Sequence, residues 1–326
     1  MQQYRDTNYA AVSAALHARE AHLLTQALSE RMLEAPTAEE SCKLLIECGY
    51  PPIEHCTLGE VEHLLALSRA ELYREVAVLA PDKRLVELFQ LKYDYHNAKL
   101  ALKAKLTGED VSRLVIGCGR YDAAALLRGE RGMLSSRMGR AMAQAEKEAE
   151  GGDVRAAELT LDRACFEEMS ELAGATGNEF LIGYVALQID AINLRTLVRA
   201  QRMGASDELL SAALLPGGHI PANQLKTARG DRLAELTRGS ALSSAGELAA
   251  ATLGGSGSLT AFERACDDAL VRYLQRARRT PFGPEVIVGY LSAKEAEFTA
   301  VRTILSGKLA GLDAEDIRAR LRLSYL

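Results

Sequence analysis

Asp94 and His96 set a carboxylate beside an imidazole, the two side chains from which a general acid–base couple is made. On a helix, residues two apart point about 200° away from each other, so these two cannot share a proton. Asp94 and Asn97 are three apart and do share a face, as do Asp190 and Asn193. A carboxylate next to a carboxamide makes either a polar site or a clamp on nearby backbone and basic side chains. The pair is present twice, which favours the clamp, because a catalytic site is rarely built twice in one chain.

Other chemistry-bearing groups are weaker. Cys42, Cys48, His55, Cys56 and His63 gather zinc-ligand types within 22 residues, but their spacing matches no finger, ribbon or knuckle. His17, Glu20 and His22 miss the zincin pattern, whose two histidines stand at i and i+4 on one helix face. The cysteines at 42, 48, 56, 118, 165 and 266 form no CxxC pair and read as reduced thiols, mostly small core residues. Gly254-Gly255-Ser256-Gly257 lacks the closing Gly-Lys-Ser/Thr and a leading strand, so it reads as a flexible loop rather than a phosphate loop. No catalytic residue, cofactor, metal or directly bound nucleotide is therefore expected. Arg272, Arg276 and Arg279 fall at i, i+4 and i+7, a basic stripe that reads as a solvated helix face or as a docking surface for an acidic partner.

The elements that must position the Asp/Asn pair repeat along the chain. The stretch from Asp94 through Asn97 and Lys99 to Gly108 matches Asp190, Asn193, Arg195 and Gly204 at a constant offset of 96 residues (94 to 190). A more diverged third copy runs from Glu297 through Arg302 to Gly311, 107 residues further on (190 to 297). Apolar residues Leu85, Leu88, Leu91, Tyr95, Ala98, Leu102 and Leu106 recur every three or four positions, which predicts a long helix with one face in the core. Each closing glycine suits a left-handed helix stop. Each is followed by acidic or hydroxyl residues that predict a short second helix: Glu109-Asp110, Ser206-Asp207-Glu208, and Asp313 with Asp316.

Two further echoes fit the repeat. Gly117-Cys118-Gly119-Arg120-Tyr121 parallels Pro216-Gly217-Gly218-His219-Ile220, and Asp162-Arg163-Ala164-Cys165 parallels Glu263-Arg264-Ala265-Cys266. The organisation expected is one domain with three internal repeats at roughly 1–127, 128–227 and 228–326. Upstream, one opening helix is expected from Tyr9 to Met32. Thr37/Glu40 and Thr57/Glu60 have capping-box spacing ahead of the next two helices.

Composition agrees with an all-α chain: 326 residues, no Trp, few Phe, abundant Ala and Leu, and no secure strand pattern. A net charge of −5, with cations scattered among anions, argues against nucleic-acid binding. No run of eighteen apolar residues and no signal-peptide pattern is present, so a cytoplasmic protein is expected.

Three passages in order, 91–99 (LKYDYHNAK), 189–195 (IDAINLR) and 284–297 (PEVIVGYLSAKEAE), make nearly the whole chain resemble the C subunits of the A/V-type rotary ATPases, counterparts of the d subunit of the V-ATPase. The resemblance implies an all-helical protein of three similar subdomains in a pseudo-threefold, funnel-like arrangement. It implies a noncatalytic central-stalk rotor component that seats the central shaft, of D- and F-type subunits, on the membrane ring of proteolipid subunits. Such a component is cytoplasmic and peripheral to the membrane, and serves H⁺ or Na⁺ transport linked to ATP hydrolysis or synthesis. A free helical scaffold or adaptor unrelated to rotary motors is the alternative.

Overall fold

The computed structural model describes residues 6–325. Among them there is no strand; the chain runs through sixteen α-helices and four short 3₁₀ segments. The amino-terminal part holds α1 (Ala10–Glu20), α2 (Gln26–Glu34), α3 (Ala38–Lys43) and α4 (Leu58–Leu79). The middle holds α5 (Arg84–Thr107), α6 (Ala123–Leu127), α7 (Ser136–Glu150), α8 (Val154–Thr176), α9 (Glu179–Arg202), α10 (Asp207–Ala213), α11 (Ala222–Thr227), α12 (Arg232–Thr237), α13 (Ser243–Leu253) and α14 (Leu259–Leu274). Helices α15 (Pro284–Leu309) and α16 (Ala314–Arg320) close the chain.

The chain divides into two compact units, Met1–Val86 with Val271–Leu326, and Glu87–Leu270. In the first, α15 is the central helix, with α1, α2, α3, α4 and α16 packed against it. Its inward residues Ile287, Leu291, Phe298, Val301 and Ile304 are buried, as expected of a helix surrounded by others. In the second unit α8 lies between α7 and α9, and α9 also carries α10, α11 and α13. By length and composition α9 could cross a membrane, but 61% of its apolar window is buried inside the protein, and Asp190 and Asn193 sit within it. It is the core helix of its unit.

Local sequence sets most of the helix starts. Thr37 and Thr57 accept from the amides of Glu40 and Glu60, at 3.1 and 3.3 Å. The opening helix, however, is broken. Thr25 caps a separate α2, and the Leu24 amide, which a continuous helix would have used internally, donates instead to Glu297 at 2.8 Å. Gly108, Gly204 and Gly311 all have positive φ, of 70, 63 and 73°. The latter two close six-to-one turns, Ala205 N to Ala200 O and Leu312 N to Gly307 O.

The helices expected after the glycines form in two cases, α10 capped by Ser206 and α16 capped by Asp313. After Gly108 there is only a 3₁₀ turn, Ser112–Leu114. There Asp110 accepts from Ser112 only two residues on, and His96 engages the Leu114 carbonyl, so the segment is captured before a helix can propagate. The cysteine reading also needs correction. Cys42 and Cys56 form a disulfide with Cα atoms 6.6 Å apart. The left-handed Gly49 and the bend at Glu54-His55 fold the chain back so that Cys56, two residues ahead of α4, meets Cys42 near the end of α3. The other four cysteines, at 48, 118, 165 and 266, are buried and form no disulfide among the described residues.

Candidate functional site

The Asp/Asn face of α5 is wholly buried, and its partners are the loop that follows the glycine stop. Asn97 donates to the carbonyl of Ile116 at 2.8 Å and accepts from the amide of the same residue at 3.1 Å. One side chain thus satisfies both backbone groups of one residue, as a neighbouring strand would. One turn earlier, Asp94 Oδ1 accepts from the amides of Arg120 and Tyr121, at 2.8 and 3.3 Å, and Oδ2 accepts from Arg120 Nε at 2.7 Å. Arg120 continues to Glu168 of α8 at 3.0 Å, and the Tyr95 hydroxyl donates to the same carboxylate at 2.8 Å.

Helix α9 repeats this construction. Asn193 donates to Leu215 O at 2.8 Å and accepts from Leu215 N at 2.7 Å. Asp190 accepts from the amides of His219 and Ile220, at 2.9 and 3.0 Å. The loop can approach so closely only because Gly119 and Gly218 lack a side chain. A Cβ at either would run into Oδ1 of Asp94 or Asp190. Further along, Lys99 pairs with Asp162 of α8 at 2.6 Å, and Arg195 pairs with Asp267 of α14 and donates to the Glu263 carbonyl. The two parallel four-residue echoes, on α8 and α14, thus supply or adjoin the acceptors.

In the other unit, Glu297 of α15 is also buried. It accepts from Leu24 N, from the Tyr50 hydroxyl at 2.6 Å, and from Lys294. Ala300 stands where the first two copies have asparagine, and Arg302 pairs with Glu62 of α4. Sequence reasoning missed Glu168, Arg120 as its bridge, and Tyr50. Glu168 has no echo in the later copies, so repetition offered no signal for it. The Gly-Arg-Tyr and Gly-His-Ile loops were visible as echoes but not as partners of Asp94 and Asp190.

The electrostatics are those of a clamp. Burial pushes the Asp94 carboxyl above the ordinary carboxylate value, opposed by the Arg120 guanidinium and two backbone amides. Burial likewise raises Asp190, opposed by the amides of Ile220 and His219 and by the His219 ring. Burial works against the charge on Arg120, but Asp94 and Glu168 outweigh it and hold the guanidinium more basic than usual. The thiols of Cys165 and Cys266 are pushed up to about 12 by burial, which keeps them protonated and poorly nucleophilic.

His96 lies exposed on the opposite side of α5 from Asp94, at 3.1 Å from the Leu114 carbonyl. His17 has its two nitrogens near Glu20 and the Thr280 carbonyl, at 2.9 and 3.3 Å. Among the described residues no three His, Cys, Asp or Glu side chains gather as metal ligands. Arg272 lies in the last turn of α14, while Arg276 and Arg279 sit on a 3₁₀ segment, Gln275–Arg279, not the continued α-helix that the i+7 spacing presumed. Residues three apart on a 3₁₀ helix eclipse one another, so Arg276 and Arg279 share a side of that segment.

The arrangement ties loops onto long helices through buried hydrogen bonds between side chains and backbone. Comparison with known proteins places it. Residues 12–320 match the model of the ATP synthase (C/AC39) subunit family. The C subunit of the V-type sodium ATPase of Enterococcus hirae is 23% identical, over 97% of this chain and 99% of that protein. The C subunit of the A-type ATP synthase of Methanocaldococcus jannaschii is 27% identical over 96% and 86%, and that of the V-type ATP synthase of Thermus thermophilus 25% over 93% and 94%. With its all-helical architecture and a match across almost its whole length, the chain belongs to the ATP synthase (C/AC39) subunit family.

Proposed function

We propose that this protein is the C subunit of an A/V-type rotary ATPase or ATP synthase, and that it acts as a noncatalytic mechanical coupler. Ion flow turns the membrane ring of proteolipid subunits, the ring turns this protein, and this protein turns a shaft of D- and F-type subunits; ATP hydrolysis drives the same train in reverse. It works on the cytoplasmic side, bound to the complex at the membrane surface, and its three repeats at roughly 1–127, 128–227 and 228–326 form the body that carries the load.

The observation that most supports this reading is the buried latch. Asp94 with Asn97, and Asp190 with Asn193, each tie one loop to one long helix through four or more hydrogen bonds, and Glu297 ties two segments to α15. Torque transmission needs stiff elements, and buried, fully satisfied polar networks in a close-packed interior supply stiffness. A catalytic role has no comparable support, since the best-held titratable groups are occupied by backbone amides.

Coupling in native membrane vesicles tests the proposal. Removing this protein should leave ATP hydrolysis by the detached head while abolishing ATP-driven ion uptake, and adding back the purified chain should restore uptake. Vesicles that pump equally well without it would refute the coupler role. A free scaffold would purify without proteolipid and shaft subunits.

A further inference from the structure

The connection between α3 and α4 is anchored by a covalent bond. Between Tyr50 and Val61 every residue is exposed or half-buried except Cys56, which is 6% exposed and bonded to Cys42 of α3. Within 51–57 the chain has no regular structure, and the bonds of its amides are local, Thr57 N to the His55 carbonyl at 2.9 Å and His55 N to the Glu60 carboxylate at 3.1 Å.

The two flanking helices do not need the disulfide. Thr37 caps α3, Thr57 caps α4, and both helices pack against α15. What depends on it is the stretch it encloses, with Cys42 and Cys56 14 positions apart: the 3₁₀ segment Leu44–Cys48, the left-handed Gly49, and Tyr50. Tyr50 joins this stretch to the central helix of its unit. Its hydroxyl donates to Glu297 Oε1 at 2.6 Å, the Lys294 ammonium lies 4.9 Å from its ring centroid, and the other Glu297 oxygen takes the Leu24 amide. The disulfide therefore closes a loop that carries a buried bond to α15.

A third sulfur lies within the loop. The Cys48 thiol is pushed up to about 12, by burial first and by the Glu297 charge next, so it stays protonated and does not exchange into the bond.

We infer that Cys42–Cys56 is a reversible redox latch, which holds the Tyr50 loop on α15 when oxidised and slackens it when reduced. The step is thiol–disulfide exchange with a dithiol. A thiolate of the dithiol bonds to Cys56 Sγ in the exposed segment, the Sγ–Sγ bond breaks, and Cys42 leaves with its electron pair and takes a proton. The second thiol of the reductant gives up its proton and displaces Cys56, which is protonated in turn. The protein gains two electrons and two protons, and the dithiol becomes a disulfide. Dithiol reductants belong to the cytoplasm, where disulfides are characteristically transient, so a role in the cell rests on the placement proposed above.

The test uses the isolated full-length chain in mixtures of reduced and oxidised dithiothreitol, with alkylation and mass spectrometry counting the Cys42 and Cys56 thiols. The pair should reach the same oxidised fraction from either direction while circular dichroism stays that of the folded protein. Hydrogen exchange through 44–57, where the Gly49 and Tyr50 amides bond the Ile46 and Leu45 carbonyls at 3.0 and 3.3 Å, should speed up about tenfold or more on reduction. Tyr50→Phe removes the bond to Glu297 and leaves the cysteines in place. Coupling between two bonds is reciprocal, so this variant should shift the equilibrium about threefold or more toward the dithiol. Should it not fold, the wild-type exchange measurement decides alone.

Free Cys42 and Cys56 thiols in the air-oxidised chain, or a pair reduced only once the chain unfolds, would overturn the latch. So would unchanged exchange on reduction, or an unshifted equilibrium in folded Tyr50→Phe. None of these measurements involves the rest of the complex, so the vesicle experiment can fail while the latch stands, and the reverse.

Discussion

The latches on α5 and α9 are built from the same parts in the same order, yet they differ in what sits behind the carboxylate. Asp94 meets Arg120, whose side chain is only 12% exposed and which is anchored on its far side by Glu168. Asp190 meets His219, whose ring lies 3.1 Å away but is 59% exposed and, among the described residues, pairs with no second carboxylate. What the two share is backbone: two amides on the aspartate, both groups of one residue on the asparagine, and a glycine that lets the loop come near. The shared part is therefore the clamp, and the cation behind it is a local elaboration, buried in one copy and solvated in the other.

Removing the carboxylate should expose that difference most strongly. Asp94→Ala leaves Arg120 buried beside Glu168 alone and two amides unanswered, and should cost about 3–5 kcal/mol, seen as a lower denaturant midpoint. Asp190→Ala strands amides but no buried cation, and should cost distinctly less. Equal losses would mean that Arg120 adds nothing to the first latch.

The glycines probe what is common. Gly119→Ala and Gly218→Ala each drive a methyl into a held carboxylate, and each should destabilise by about 1–3 kcal/mol in the same assay. A large difference between them would show that the two loops are not equivalent.

At the solvated position, His219→Ala should change stability by less than about 1 kcal/mol, because the backbone bonds to Asp190 remain and an exposed pair contributes little. A loss as large as that of Asp190→Ala would make the ring, not the backbone, the working part of the second latch.

The smallest effect expected is in pH dependence. Burial raises the Asp190 carboxyl above its ordinary 3.8, so the folded protein binds that proton more tightly than the unfolded chain does. The sign follows: this group's contribution is fully present below about 3.8 and is lost as the pH rises through the raised native value. Thermal melts across weakly acidic pH should show a shallower fall in Asp190→Asn than in the parent protein. An identical slope would mean that Asp190 does not titrate in that window.

How far the chain could be read in advance depended on the range of the interactions. Thr37, Thr57, Ser206 and Asp313 bond amides three residues away, and the helices they begin were legible from the sequence. The glycine stops were legible for the same reason, since a positive φ is a property of one residue. Repetition made Asp94, Asn97, Asp190 and Asn193 stand out as a unit, and helical spacing separated Asp94 from His96. The break in the opening helix was not legible, because the partner of the Leu24 amide, Glu297, is 273 residues away. Nor was the Cys42–Cys56 pairing, which depends on how a loop with no regular pattern folds back.

The sequence by itself determined the all-helical class, the two matching copies of the motif and the diverged third, the stops after each long helix and the resemblance to the C subunits, since all of these rest on local spacing and on one stretch of chain compared with another. Only the tertiary structure decided which groups each buried carboxylate holds, and that Arg120 bridges to Glu168 while His219 faces solvent. The physical reason is that a buried charge or amide must find its partner wherever packing brings one within hydrogen-bond reach, and packing is a property of the whole chain.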